Sequence, residues 1–81
     1  MKNKIKLDII KIIKNVSGIN ITENILDIDF EMIGINSLML VQIIVDIEKY
    51  YKIELDDSFL DITQYETLKS LIDSITAVIL K

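Results

Sequence analysis

The chain has 81 residues, a formal net charge of −4, and no Cys, His, Trp, Pro or Arg. Those absences remove disulfides, thiolate nucleophiles and Cys/His zinc sites, together with the general base of serine–histidine and cysteine–histidine catalysis. One domain spanning residues 1–81 is expected, and a 51% hydrophobic content that includes nineteen Ile is enough for a dense core.

The charge is unevenly placed. Residues 1–15 carry Lys2, Lys4, Lys6, Lys11 and Lys14 against Asp8 alone, whereas residues 16–81 carry four lysines against twelve acids. A body with a balance of −8 and no Arg repels a phosphate backbone, so no nucleic-acid partner is expected; a basic protein partner suits it better. No apolar run approaches the ~18–20 residues of a membrane span. The first eighteen residues are expected to form an amphipathic helix of a soluble domain rather than a secretory leader or a membrane-surface helix, because Asp8, Lys11 and Lys14 interrupt what would have to be a charge-free apolar block. A cytoplasmic protein is expected.

Ile5, Ile9, Ile12, Ile13 and Val16 recur as one face of a first helix, which Ser17 and Gly18 stop. Ile19 to Ile35 has no sustained period and reads as a long ordered loop, with a helical turn around Phe30–Ile33 closed by Gly34. A loop of that length in so small a domain is often functional. Asn36 then caps a second main helix whose core stripe is Leu40, Ile43, Ile44, Ile47 and Tyr51. Lys52 to Leu60, rich in acid, reads as a turn and one short helix. Thr67 caps a last helix that buries Leu68, Leu71, Ile72, Ile75 and Ile79. The many β-branched residues favour strands, but strict alternation is absent and helical spacing prevails. The expected fold is all-α: three main helices plus one short helix, with a long first loop.

The second main helix carries another apolar stripe, Leu38, Val41 and Val45, beside Gln42, Asp46 and Lys49. A helix in a domain this small buries one broad face. The stripe therefore either widens the core or forms a docking surface with an apolar centre and a charged rim. At the start of this helix, in Ile33-Gly34-Ile35-Asn36-Ser37-Leu38, Ser37 lies where free backbone N–H groups and the helix dipole favour an anion such as a phosphate ester. Its plainer role is a second capping hydroxyl beside Asn36.

The ordered set of motifs resembles the acyl carrier protein superfamily, which includes the peptidyl carrier proteins of nonribosomal peptide assembly. These proteins typically open their second helix with Gly-x-Asp-Ser-Leu or a similar motif. Val41, Gln42 and Ile43 stand where carriers show Val-Glu-Leu or Val-Gln-Leu, and Ile47-Glu48 is similar to their Leu-Glu. Tyr51 matches their aromatic, Ile53 and Leu55 their hydrophobic pair, and Tyr65-x-Thr67-Leu68-x-x-Leu71 the opening of their last helix. The resemblance covers about residues 5–80. It implies a four-helix carrier bundle in which Ser37, flanked by Asn36 and Leu38, receives 4′-phosphopantetheine from coenzyme A through a phosphopantetheinyl transferase. The arm's thiol then holds an acyl, aminoacyl or peptidyl group as a thioester, and the carrier, itself not an enzyme, presents it to loading and condensing enzymes. Partner contacts are implied for Leu38, Met39, Val41, Gln42 and Val45, and for the acids Asp46, Glu48, Glu54, Asp56 and Asp57. A monomer is expected.

Asn36 replaces the aspartate that usually precedes the serine in this superfamily, and Met39 and Gln42 replace acids common in its fatty-acid carriers; with three charges missing beside the attachment site, a free-standing carrier of polyketide or nonribosomal-peptide type is favoured over one of fatty-acid synthesis. The alternative of another class is a helical interaction module with no prosthetic group. Catalysis by paired carboxylates would have to use Asp27/Asp29 or Asp56/Asp57, and short acidic runs of this kind are ordinarily solvated loop caps.

Overall fold

The computed structural model describes residues 2–80; Met1 and Lys81, which the one-domain reading of residues 1–81 includes, and the side chain of Lys2 lie outside the described residues. Helix α1 runs Lys2–Ser17. It buries Ile9 and Ile13 completely, while Ile5, Ile12 and Val16 pack half-buried around them. Its end is local chemistry. The Ser17 hydroxyl donates to the Ile13 carbonyl at 2.7 Å, and Gly18, at φ +73°, returns its N–H to the Lys14 carbonyl at 2.8 Å.

The first long connection is more ordered than its sequence suggests. It contains a one-turn helix α2, Glu23–Leu26, which lies on α4, and a 3-10 turn, Phe30–Ile33. Phe30 is 1% exposed, with its ring centroid 5.7 Å from that of Tyr65. Around it the backbone is sewn to the far end of the chain. The Phe30 N–H donates to the Glu66 carbonyl at 2.7 Å, and Asp29 and Thr67 form an antiparallel bridge. Gly34 closes the turn at φ +84°, a conformation that costs an L side chain about 1–2 kcal/mol.

Helix α3, Ser37–Tyr51, buries Leu40, Ile43, Ile44 and Ile47. Burial of such side chains is worth about 1.5–3 kcal/mol each. The lower helix propensity of Ile costs only a few tenths of a kcal/mol per residue, so packing decides the conformation. The helix ends at Lys52, held at φ +56° with its N–H on the Glu48 carbonyl. The following segment is not the short α-helix expected there but two 3-10 turns, Asp57–Leu60 and Ile62–Gln64. Asp56 and Asp61 cap them by accepting from the amides of Ser58 and Thr63, each at 3.0 Å. Side chains that bond the backbone two residues on favour such short turns over a continuing helix.

Helix α4, Leu68–Ile79, is capped by Thr67 Oγ1, which accepts from the Ser70 amide at 3.2 Å. It buries Leu68, Leu71, Ile72, Ile75 and Thr76. Ile79 is half-buried rather than core, and Thr76 takes the place the stripe assigned to it, with its hydroxyl satisfied by the Ile72 carbonyl at 2.7 Å. Helix α1 packs against both α3 and α4, and the Asp57–Leu60 turn packs on α3. The all-α architecture of three long helices and a short one agrees with the sequence reading; the short α-helix lies before α3 rather than after it. Among the described residues no helix is long and apolar enough to cross a membrane.

Candidate functional site

The site is built by the junction between the Phe30–Ile33 turn and α3. Ile35, 3% exposed, plugs into the core and fixes where the chain enters the helix. Asn36 is the N-cap, extended at φ −96° and ψ 176°, and its Oδ1 accepts from the Met39 amide at 2.8 Å. Its carbonyl accepts the first helical bond, from the Leu40 N–H at 3.0 Å. Capping is thus complete without Ser37, which occupies the first helical position with an exposed side chain. The amides of Ser37 and Leu38 belong to the first turn, where no carbonyl precedes to receive them, and they face the same end as the positive helix dipole. A hydroxyl there is accessible to an electrophile, and a phosphodiester formed on it meets backbone donors. The residues present therefore fit a phosphate-linked group.

The surface beside Ser37 is apolar. Leu38 is 79% exposed and Val41 40%. Neither widens the core, so the stripe is a surface feature at its N-terminal end. Val45 is half-buried in a groove shared with Glu48, Ile53 and Leu55. Met39 is also half-buried, packed against the core. Gln42 is exposed and donates through Nε2 to Asp46 Oδ1 at 2.7 Å.

The acids divide by what they touch. Glu54 and Asp57 are exposed, and Asp56 is exposed while capping Ser58. Asp46 is half-buried. Glu48 is turned inward: its Oε2 accepts from the Leu55 amide at 2.8 Å, tying the end of α3 to the segment after it. One residue near the site escaped sequence reasoning. Met32, in the turn before Gly34, is 75% exposed, and an aperiodic loop carries no signal that would have shown it.

Elsewhere the structure offers little that resembles a catalytic centre. Among the described residues no group of three or more acids is placed to hold a metal ion. The perturbed groups are structural. The Thr63 hydroxyl and amide hold the Asp61 carboxyl below its usual range, and burial pushes the Tyr65 hydroxyl up, with the Asp61 charge adding to it.

A protein-family model described as "Phosphopantetheine attachment site" matches residues 8–75. The chain belongs to this phosphopantetheine-binding carrier family. A search of curated proteins and a search of solved structures gave no match. As a carrier, the chain is not an enzyme; it bears a covalent 4′-phosphopantetheine, and it serves a phosphopantetheinyl transferase and further enzyme partners. The matched span runs from α1 into α4, so it takes in the whole junction around Ser37. When bound, the group supplies a thiol, the nucleophile that a chain without Cys cannot provide.

Proposed function

We propose that Ser37 is the residue that carries the phosphopantetheine arm, and that the carrier holds acyl, aminoacyl or peptidyl thioesters for a pathway of polyketide or nonribosomal-peptide type. The observation that carries the first part is the division of labour at the head of α3: Asn36 does the capping, leaving the Ser37 hydroxyl exposed with no structural duty in the cap. In the transfer, Ser37 Oγ attacks the pyrophosphate phosphorus of coenzyme A that bears the pantetheine. An O–P bond forms, the anhydride bond breaks, and adenosine 3′,5′-bisphosphate leaves; the hydroxyl proton passes to a base of the transferase.

The second part is supported by Asn36, Met39 and Gln42, three uncharged residues beside the attachment point. Leu38, Val41 and Val45, with Asp46, Glu54, Asp56 and Asp57 further along, are the surface offered to loading and condensing enzymes in turn. A permanent dimer using that surface would hide it from them, so the working form is a monomer. A cytoplasmic carrier would meet both coenzyme A and a transferase there, which supports that location.

Intact-mass measurement tests this reading. Incubation with coenzyme A and a transferase of broad carrier range should add one phosphopantetheine to the wild type and none to Ser37→Ala. An unchanged wild-type mass, or a Ser37→Ala variant that still gains the arm, would sink the assignment. The loaded form should accept an aminoacyl or polyketide extender unit from enzymes of those pathways. Loading solely by a fatty-acid-synthesis malonyl transferase would overturn the pathway and leave the Ser37 assignment standing.

A further inference from the structure

Four exposed residues of α1 fall on one line. Lys4, Leu7, Lys11 and Lys14, at steps of three, four and three, occupy the face opposite the buried Ile9 and Ile13. At about 1.5 Å per residue the line is about 15 Å long. Its lysines have no anionic partner: among the described residues the one ion pair is Lys6 Nζ with Asp73 Oδ1, at 3.0 Å. Folding gains nothing from the arrangement. The first turn of α1 holds no acid, so Lys4 stands at the positive end of the helix dipole, and Lys11 and Lys14 repel each other one turn apart. Leu7, between Lys4 and Lys11, is 58% exposed, where packing requires no apolar side chain.

The end of α3 extends this face. The Tyr51 hydroxyl reaches Asp8, which lies one helical turn from both Lys4 and Lys11. The Tyr50 ring stands edge-on to that of Tyr51, with centroids 4.9 Å apart, and Tyr50 is 58% exposed. Lys52 follows, exposed at the turn that ends the helix. The neighbouring acids are engaged. Asp8 is half-buried and accepts from Tyr51, and Asp46, one turn before Tyr50, is half-buried and accepts from Gln42. Lys49 stands apart, in the groove with Glu48, Glu54 and Asp57. Along α3, Tyr50 is thirteen residues from Ser37, a distance of about 20 Å.

We propose that this face rests on an anionic lipid surface, with Lys4, Lys11, Lys14 and Lys52 against headgroup phosphates and Leu7 and Tyr50 at the edge of the acyl region. Helix α1 does not enter the bilayer by its apolar side, which is core; the opposite face makes the contact. A strip about 15 Å by about 10 Å falls well short of the about 800 Å² that each side of a stable protein complex usually buries, whereas a lipid surface needs no matching shape. The division of charge favours the same occupant. Residues 1–15 carry +4 and residues 16–81 carry −8, so an anionic plane attracts α1 and turns the rest of the molecule away from it. Each lysine near such a plane adds about fivefold to affinity, and a contact of this size is reversible. The inference does not depend on the role of Ser37.

Co-sedimentation of the full chain with vesicles tests this, at about 0.1 M and about 1 M salt, where the Debye length is about 10 Å and about 3 Å. At the lower salt, phosphatidylglycerol vesicles should bind the wild type about thirtyfold or more tightly than phosphatidylcholine vesicles, and the preference should vanish at the higher salt. Lys4→Gln/Lys11→Gln should lose about tenfold or more, and Lys49→Gln/Lys69→Gln, which changes the net charge equally, less than about twofold. Leu7→Ser/Tyr50→Ser should lose about fivefold at the lower salt. Circular dichroism melts coincident with the wild type show that each variant is folded. No preference for phosphatidylglycerol, or equal losses in the two lysine pairs, would overturn the patch; a Leu7→Ser/Tyr50→Ser variant that binds as wild type would overturn the apolar contact. Polyglutamate stands for an acidic protein, and a wild type that binds it but leaves phosphatidylglycerol vesicles unbound would overturn the lipid surface as the occupant. Modification of Ser37 without vesicles is read separately and does not change with any of these outcomes.

Discussion

The Tyr51 hydroxyl donates to Asp8 Oδ2 at 2.9 Å, joining the last turn of α3 to α1 across 43 residues of sequence. Burial pushes the Tyr51 hydroxyl up to about 12, with the hydrogen bond to Asp8 and the Asp8 charge adding to it and Tyr50 contributing least. A raised folded-state value means that the unfolded chain releases this proton first. The stabilising contribution is complete below about 10 and disappears as the pH climbs through about 12. Tyr51→Phe should lower stability by about 1 kcal/mol near neutrality. In urea titrations over a pH series, the gap between the variant and the wild type should close from about pH 10 upward; a gap that stays constant would show that the hydrogen bond carries no such linkage.

Neighbours on α3 should respond in opposite ways to truncation. Leu40 is fully buried and Leu38 is 79% exposed. Leu40→Ala opens a hole in the core and should cost about 2–5 kcal/mol, whereas Leu38→Ala should stay within about 0.5 kcal/mol of wild type. Thermal denaturation of the two variants side by side measures the difference, and comparable losses would place Leu38 in the core.

At position 36 the cap can be separated from the charge. Asn36→Ala removes the acceptor for the Met39 amide and should destabilise by about 1 kcal/mol. Asn36→Asp keeps that acceptor and adds a negative charge at the positive end of the helix dipole, so it should match or slightly exceed wild-type stability. Chemical denaturation midpoints distinguish them, and equal losses in both would mean that Asn36 acts through something other than its cap.

Gly34→Ala should destabilise by about 1 kcal/mol through backbone strain alone. The position sits at φ +84°, and an added Cβ meets no heavy atom within 4 Å. The modification rate of Ser37 in this variant, measured below its melting transition, reports whether the turn also sets the approach to the serine. A loss of several kcal/mol would point to a collision that the open space around Gly34 excludes.

What could be read from the sequence follows where periodicity exists. The buried faces of α1, α3 and α4 were legible from spacing, as was the Thr67 cap, because each element repeats its pattern over three or more turns. Helix α2 was not legible. Its four residues are too few to show a period, and its Ile25 and Leu26 are apolar in a stretch where neighbouring apolar residues lie in turns. The expectation for Ser37 came only from an ordered motif set, since a serine beside a helix cap is common; the structure adds that Asn36 takes the capping role. Glu48 shows the opposite limit. The resemblance implied a partner contact for it; the bond from the Leu55 amide to its carboxylate could not be read there, because it depends on how the chain turns at Lys52. Tyr51 and Asp8 are likewise unpairable from composition or spacing, because only the packing of α1 on α3 brings them together.

The bridge between Asp29 and Thr67, with the Phe30 amide bonded to Glu66, has a mechanical consequence. It moors the segment leading to Ser37 to the foot of α4, so this stretch cannot swing outward without first drawing Phe30 from the core. A tether on Ser37, the proposed attachment point, would therefore turn about a stationary pivot. Travel between enzymes would then be left to the tether and to diffusion of the whole carrier, and each partner would have to bring its own reaction chamber within the radius that the pivot allows.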